Sequence, residues 1–555
     1  MSDRVHRLVV MALLMAAGGA LYVPFLNNPF IFDDVNLFHS PLLTQAAIAP
    51  WELGIRGLPY FTLGWVQTQI GSLPAHRWIS LGLHLCVGYQ LFSFLTELLS
   101  VSDKHPLEMG PAYATRSRWV AAVVALAFVV HPVAVYGAGY LVQRTTVLAT
   151  LFALLCLRSL LTALRGGDYK GCALAAVWAS LAILCKEHYV VVPVASLSLL
   201  LLIPRLDQAR IRIAGVFLVL SAPAITLGLL NGLYAIGHAY EPLITQLEAE
   251  RYSLPDLATP YERWLFSAST QAQLYFQYWL QWLAPTTDRM SVDLRVDFRR
   301  SWGHAQAWGW LVGWALLPLL AGAVALWHRR LRLSAFALSF TAIVFVVELG
   351  TVRLQEPYVL YRSYLWAIGY SSLAASVLSY IPRNAGLGVV ALLLPLLFVQ
   401  AQDRLSSLQN PLSLWSDAVA KLPNPQVAGA SRIYFNRGRA HFASGNVAAA
   451  ETDINAAIEL APLNGRYRIA RAAVSMAKGR PAFALEDLDA ASEWLPNDPQ
   501  VLFARYRALR ALSRLEEAEA ALLAAAAAGS FAAKMELARR SSPDGDATVD
   551  MNTKP

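Results

Sequence analysis

From Leu8 to about Gln400 the chain alternates long apolar runs with short polar connections, and beyond that point the runs give way to Ala-rich text with helical periodicity. Runs that reach about 20 residues match a hydrocarbon core about 30 Å thick. The pattern predicts eleven spans, roughly 8–26, 78–98, 119–131, 145–163, 171–185, 190–204, 211–233, 307–327, 333–350, 363–381 and 385–401. The predicted organisation is a membrane domain over 1–402, a repeat domain over 403–535 and a disordered tail over 536–555. The fold class expected is all-α, a polytopic transmembrane helical bundle followed by a helical repeat domain.

Composition agrees with the pattern. In 555 residues, 56% are hydrophobic and only 15% charged, which excludes an ordinary soluble protein. The net charge of +8 sits largely between apolar runs, so it sets topology rather than marking a nucleic-acid binder. An inside N-terminus collects Arg4 and Arg7, then Lys104, Arg116 and Arg118, then Arg165 and Lys170, then Arg205, Arg210 and Arg212, and finally Arg329, Arg330 and Arg332 on the cytoplasmic side. The first run reads as an uncleaved span rather than a signal peptide, because it continues through Leu21 to Leu26. Cys86, Cys156, Cys172 and Cys185 have no metal-ligand spacing and read as small buried thiols.

The stretch 264–285 is apolar yet carries Gln271, Gln273, Gln277 and Gln281, and is expected to be a surface-lying or re-entrant amphipathic helix. Residues 286–300 mix acids and arginines and read as a solvated loop. From residue 431 the text repeats at an offset of 34: Gly445 with Gly479, Ala450 with Ala484, Ala457 with Ala491 and Pro462 with Pro496. This is the tetratricopeptide period, with a third, degenerate copy at Ala518 and Ala525 and a preceding helix in 412–424.

Charged residues beside a membrane are costly and generally have a partner or a task. Asp33 and Asp34, just outside the first span, admit two readings. One aspartate caps a short helix starting at Val35, or the pair deprotonates an acceptor hydroxyl and orients it. "CKEHYVVVP" brings Lys186, Glu187 and His188 to the outer face, and "HPVAVYGAGYLVQRTTVLATLF" brings His131 and Arg144. Arg353 and Arg362 lie at another outer boundary. Four cations on the side that should be poor in them point to an anion at the outer leaflet, and guanidinium suits phosphate.

"FIFDDVNLF", "RGLPYFTLGWVQTQIGSLPAHRWISLGLHL", "HPVAVYGAGYLVQRTTVLATLFALL", "CKEHYVVVP", "YWLQWLAPTTDRMSVDL" and "YRSYLW" occur in this order, followed by the repeats. In this the chain resembles the tetratricopeptide-containing transmembrane O-mannosyltransferases of the GT-C glycosyltransferase superfamily, over about residues 8–530. The resemblance implies a bacterial inner-membrane enzyme with its repeats in the periplasm. It implies a polyprenyl-phosphate sugar donor, hydroxyl acceptors on exported proteins, inversion at the anomeric carbon, and no metal or other cofactor. Asp33 or Asp34 would be the base, with Arg144, Lys186, Arg362 and Arg353 on the donor phosphate and His131, Glu187 and His188 in support. The chain departs from the pattern at Arg56-Gly57, where relatives read Arg-Pro, and at Tyr361-Arg362, where they read Glu-Arg. A glycan or lipid acceptor, or a non-catalytic scaffold for secretion or pilus assembly, are the competing expectations.

Overall fold

The computed structural model describes residues 3–102, 111–203, 206–232, 259–297, 304–328, 331–354 and 356–541. Lys104, Arg205, Arg329, Arg330, most of the loop before residue 259, the end of the 286–300 stretch and the tail from 542 onward lie outside these. The described chain is almost wholly helical and divides into two compact units, Met1–Asn410 and Pro411–Pro555. The helix Arg383–Ser407 runs straight through residue 402, so the composition changes within a helix and the division of the chain follows it.

Among the described residues of the first unit, seven helical segments are long and apolar enough to cross a membrane: Asp3–Phe25, Leu73–Val101, Leu141–Gly166, Gln208–Gly232, Trp308–Trp327, Arg332–Leu349 and Asn384–Ser407. The other four predicted spans fall on Pro111–Val129, Tyr169–Cys185, Glu187–Leu202 and Ala367–Tyr380. A 17-residue helix such as Tyr169–Cys185 is about 25 Å long, short of a full hydrocarbon core.

Local chemistry sets the turns. Gly167, at φ 70°, ends Arg144–Gly166, and the Asp168 carboxylate then accepts from the Lys170 and Gly171 N–H groups to start Tyr169–Cys185. Thr259 and Glu262 form a reciprocal capping box at the start of Pro260–Leu283. That helix corrects the surface-lying expectation for 264–285. Gln271 and Gln281 are buried, the Gln271 amide donating to the Pro357 carbonyl at 2.7 Å and the Gln281 amide oxygen accepting from the Thr286 N–H at 3.4 Å, so both meet backbone groups. The loop after it is solvated only in part: Thr286, Asp288 and Arg289 are exposed, whereas Met290, Asp293, Leu294 and Arg295 are buried and Asp293 pairs with Arg295 at 2.9 Å. Cys86 is exposed, unlike the other three cysteines.

In the second unit, the helix Pro411–Ala420 precedes three helix pairs: Ala430–Ala443 with Val447–Leu460, Gly465–Ala477 with Pro481–Trp494, and Pro499–Ala511 with Leu515–Ala527. Ala450, Ala484 and Ala518 are buried, as are Ala457, Ala491 and Ala525, where a larger side chain would hold the paired helices apart. The turn within each pair needs a left-handed residue, at Gly445 (φ 81°), Gly479 (φ 68°) and, one period on, Ser513 (φ 61°). Residues 536–541, expected in the tail, belong to the helix Phe531–Ser541.

Candidate active site

The acidic pair opens the short helix Asp33–Phe38, preceded by Phe32 at φ 49° with no side-chain cap. Neither aspartate is therefore a capping residue. Adjacent residues on a helix point about 100° apart, and here the two carboxylates go to different surroundings. Asp34 is fully buried, accepting hydrogen bonds from the N–H groups of Val142 at 2.8 Å and Leu141 at 3.4 Å. Burial pushes its carboxyl up to about 7, opposed by the Val142 N–H and by Arg77. Asp33 lines a cavity of about 280 Å³, and its backbone N–H donates to the Tyr140 hydroxyl at 2.9 Å.

Arg77, near the start of the helix Leu73–Ser102, ties the same loops together. Its guanidinium donates to the carbonyls of Asn28 at 2.6 Å, Pro29 at 2.7 Å and Gly139 at 2.7 Å. The segments 28–34 and 139–142 are thus fixed to each other by one buried arginine and one buried carboxylate.

The cavity gathers Asp33, Arg56, Lys186, His188, Glu348, Arg353, Glu356, Tyr361 and Arg362 over a floor that includes Val344, Val347, Leu365 and Trp366. Most of its cations face acids. Glu348 lies 3.3 Å from both Arg353 and Arg362, and Arg362 is 3.5 Å from Glu356. Arg56 grips both oxygens of Glu187, one at 2.9 Å, and its own backbone is left-handed at φ 72°. His188 sits between the two clusters, with Nδ1 3.2 Å from Glu187 and Nε2 3.2 Å from an Arg353 nitrogen. Because arginine only donates, Nε2 must accept and the proton of a neutral ring is on Nδ1, toward Glu187.

Lys186 stands apart. Its ammonium donates to Gln143 at 3.1 Å and Thr146 at 2.7 Å and lies 5.5 Å from the Tyr361 ring centre. Burial, and then Arg56, push it down to about 7. An anion entering the cavity would restore its charge.

Of the residues expected at the site, the structure places Asp33, Lys186, His188, Arg353 and Arg362 in one cavity, with Glu187 behind Arg56. Arg144 does not join them. It is buried, donating to the carbonyls of His76 at 2.7 Å and Thr62 at 3.1 Å, so its fork serves the backbone rather than a phosphate. His131 also lies away from the cavity, stacked 4.4 Å from the Trp282 ring. The Val133 N–H donates to His131 Nδ1, which leaves Nε2–H to donate to the Trp282 carbonyl at 3.2 Å. Arg56, Glu348, Glu356 and Tyr361 also line the cavity.

No protein-family model matches the chain, and no curated protein matches it.

Proposed function

We propose that this protein is an inverting membrane glycosyltransferase of GT-C type, moving a sugar from a polyprenyl-phosphate carrier to serine or threonine hydroxyls of exported proteins. In this reading eleven segments cross a bacterial inner membrane and the second unit is a periplasmic tetratricopeptide domain that presents the acceptor. The observation that carries it is the placement of a carboxylate, Asp33, and a cation whose hydrogen-bond acceptors are uncharged, Lys186, on one cavity.

The acceptor hydroxyl gives its proton to Asp33 as its oxygen attacks the anomeric carbon. The bond from that carbon to the phosphate oxygen breaks on the opposite face, and the electron pair leaves with the phosphate. Lys186 meets the developing negative charge, with the arginines beside it held in position by Glu348 and Glu356. No metal enters this scheme.

The test is the full-length protein in detergent, incubated with polyprenyl-phosphate sugars and exported proteins taken from a deletion strain, read by intact mass. A gain of one sugar-residue increment on a protein, lost in the Asp33→Asn variant, is the expected result. Release of the sugar to water alone, or no gain with any donor, would overturn it.

A further inference from the structure

Among the cations lining the cavity, Arg56 is bound to Glu187, and Arg353 and Arg362 face Glu348. Lys186 is held by neutral groups instead. Its ammonium donates to the Gln143 amide oxygen at 3.1 Å and to the Thr146 hydroxyl at 2.7 Å, and that hydroxyl donates in turn to the same amide oxygen at 2.8 Å. Two of the three ammonium N–H groups are used in this ring, and the third has no acceptor among the described residues.

The ring also orients Gln143. An ammonium only donates, so the atom facing Lys186 must be the amide oxygen, and the amide N–H groups point elsewhere. They have no acceptor among the described residues, although Gln143 lines the cavity and is only 5% exposed. Buried amide donors nearly always have partners, so these are left for whatever enters the cavity.

The backbone under Gln143 is fixed from several sides. It ends the short turn Leu141–Gln143 and sits at the N-cap of the helix Arg144–Gly166. Asp34 holds the two preceding N–H groups, of Leu141 and Val142, and the Gln143 N–H donates to the Tyr140 carbonyl at 3.0 Å. A short polar side chain at an N-cap folds back on the N–H groups of its own helix. The longer glutamine makes no such cap and reaches Lys186 instead. The helix turns its positive end to the same side of the cavity, since Thr145 and Thr146 of its first turn line it.

Glutamine suits this place chemically. A glutamate would hold the ammonium but cancel its charge, whereas an amide accepts with its oxygen and presents donors beside the ammonium with its nitrogen. The two amide atoms share one carbon, so a phosphate accepting bonds of about 2.9 Å can meet ammonium and amide together.

We propose that the Gln143 side-chain amide is a second ligand of the donor phosphate, donating to a non-bridging oxygen beside Lys186. The proposal rests on the reading of this cavity as the site of a polyprenyl-phosphate donor. Phosphate binding needs neither sugar nor acceptor, so it is tested apart from transfer.

The experiment uses the full-length protein in detergent at about pH 6.5 and fixed ionic strength. The probes are a short-chain prenyl phosphate as its methyl diester, which carries the donor's single negative charge, and the parent prenyl alcohol. The diester should bind more tightly, and the ratio of the two affinities reads the phosphate alone. Gln143→Met, of similar length and without donors, should lower that ratio about tenfold. Gln143→Glu keeps the acceptor for Lys186 and Thr146, and with it the fold, but should lower the ratio about 100-fold, because a carboxylate has no N–H to give and repels the phosphate. In Lys186→Met, a glutamine that acted only by holding the lysine would have nothing left to do. Gln143→Met added to that variant should still cost about threefold or more. Affinity for the alcohol should be the same throughout. Equal binding of diester and alcohol by the unaltered protein, an unaltered ratio in Gln143→Glu, or no further loss in the Lys186→Met background overturns the proposal. So does a loss seen only with a sugar-bearing phosphate, which would put the amide on a sugar hydroxyl. Sugar transfer together with any of these results removes Gln143 as a ligand and leaves the function standing, whereas a Gln143-dependent ratio with no transfer from any donor does the reverse.

Discussion

The Asp34 carboxylate accepts a 2.8 Å hydrogen bond from the Val142 backbone N–H, while its neighbour Asp33 lines the cavity. Two residues that read as an equivalent pair in sequence therefore have different duties. Asp33 touches whatever enters; Asp34 holds the loop that forms one wall.

The first prediction separates them. Asp33→Asn should lower single-turnover transfer by about 100- to 10,000-fold while donor lipid still binds, because an amide cannot take a proton near neutral pH. Asp34→Asn should retain most of the rate, since it keeps an acceptor for Val142 and the native carboxyl is already drawn toward its neutral form. Asp34→Ala strands buried N–H groups and should cost about 1–3 kcal/mol of stability, read from thermal unfolding. Loss of transfer in Asp34→Asn with full activity in Asp33→Asn would reverse the assignment.

Arg144 gives a second prediction, contrary to what its place in the sequence implies. Its partners are the carbonyls of Thr62 and His76 and the Ser80 hydroxyl. Arg144→Ala should therefore lower the unfolding temperature, with the cost of stranded buried acceptors of about 1–3 kcal/mol or more. Donor affinity of the folded fraction should stay unchanged. A specific loss of donor affinity with normal stability would return Arg144 to the phosphate.

Much of this site is legible in the sequence because charge next to a membrane is rare and stands out, which is how Asp33, Lys186, Arg353 and Arg362 come to notice. Burial is not legible in the same way. Arg144 and Arg362 both sit among apolar residues at the end of a predicted span, and only the backbone path decides that one guanidinium meets carbonyls and the other a cavity. Glu348 is missed for a related reason, lying at the end of the apolar run 333–350 and looking like a boundary residue. Gln271 in Pro260–Leu283 suggests water because its acceptor, the Pro357 carbonyl, is 86 residues away in sequence. The 34-residue period needs no such long-range knowledge, and so the turn at Gly445 and Gly479 and the buried alanines lie where the text puts them.

Gly137 supplies a third prediction. A Cβ there would come within 2.4 Å of the Tyr364 ring, whose hydroxyl is held 2.6 Å from His84 Nδ1 and so cannot swing aside freely. Gly137→Ala should destabilise by about 1–3 kcal/mol through overpacking. Adding Tyr364→Leu should recover part of that loss relative to Tyr364→Leu alone, measured as coupling in a double-mutant cycle. Additive effects would show that the clash is relieved elsewhere.

The last prediction concerns pH and rests on Lys186. Burial and Arg56 bring its ammonium down to about 7 from an ordinary value of 10.5. In the empty cavity it is thus largely neutral above pH 7. A sugar phosphodiester carries one negative charge throughout the neutral range, so it does not titrate there itself. When it binds beside Lys186 it raises the ammonium's pKa, and the complex takes up a proton that the free protein lacks. Affinity should be level below pH 7 and fall above it, approaching tenfold per pH unit while the free lysine is neutral and the bound one charged. Lys186→Arg keeps the charge at every accessible pH, so its affinity should show no such slope, whatever its absolute value. Lys186→Met should bind weakly and also without the slope. The measurement is donor-lipid affinity between about pH 6 and 9 at fixed ionic strength, because screening would otherwise imitate the effect. A slope that persists in Lys186→Arg would assign the titration to another group and remove Lys186 as the phosphate's partner.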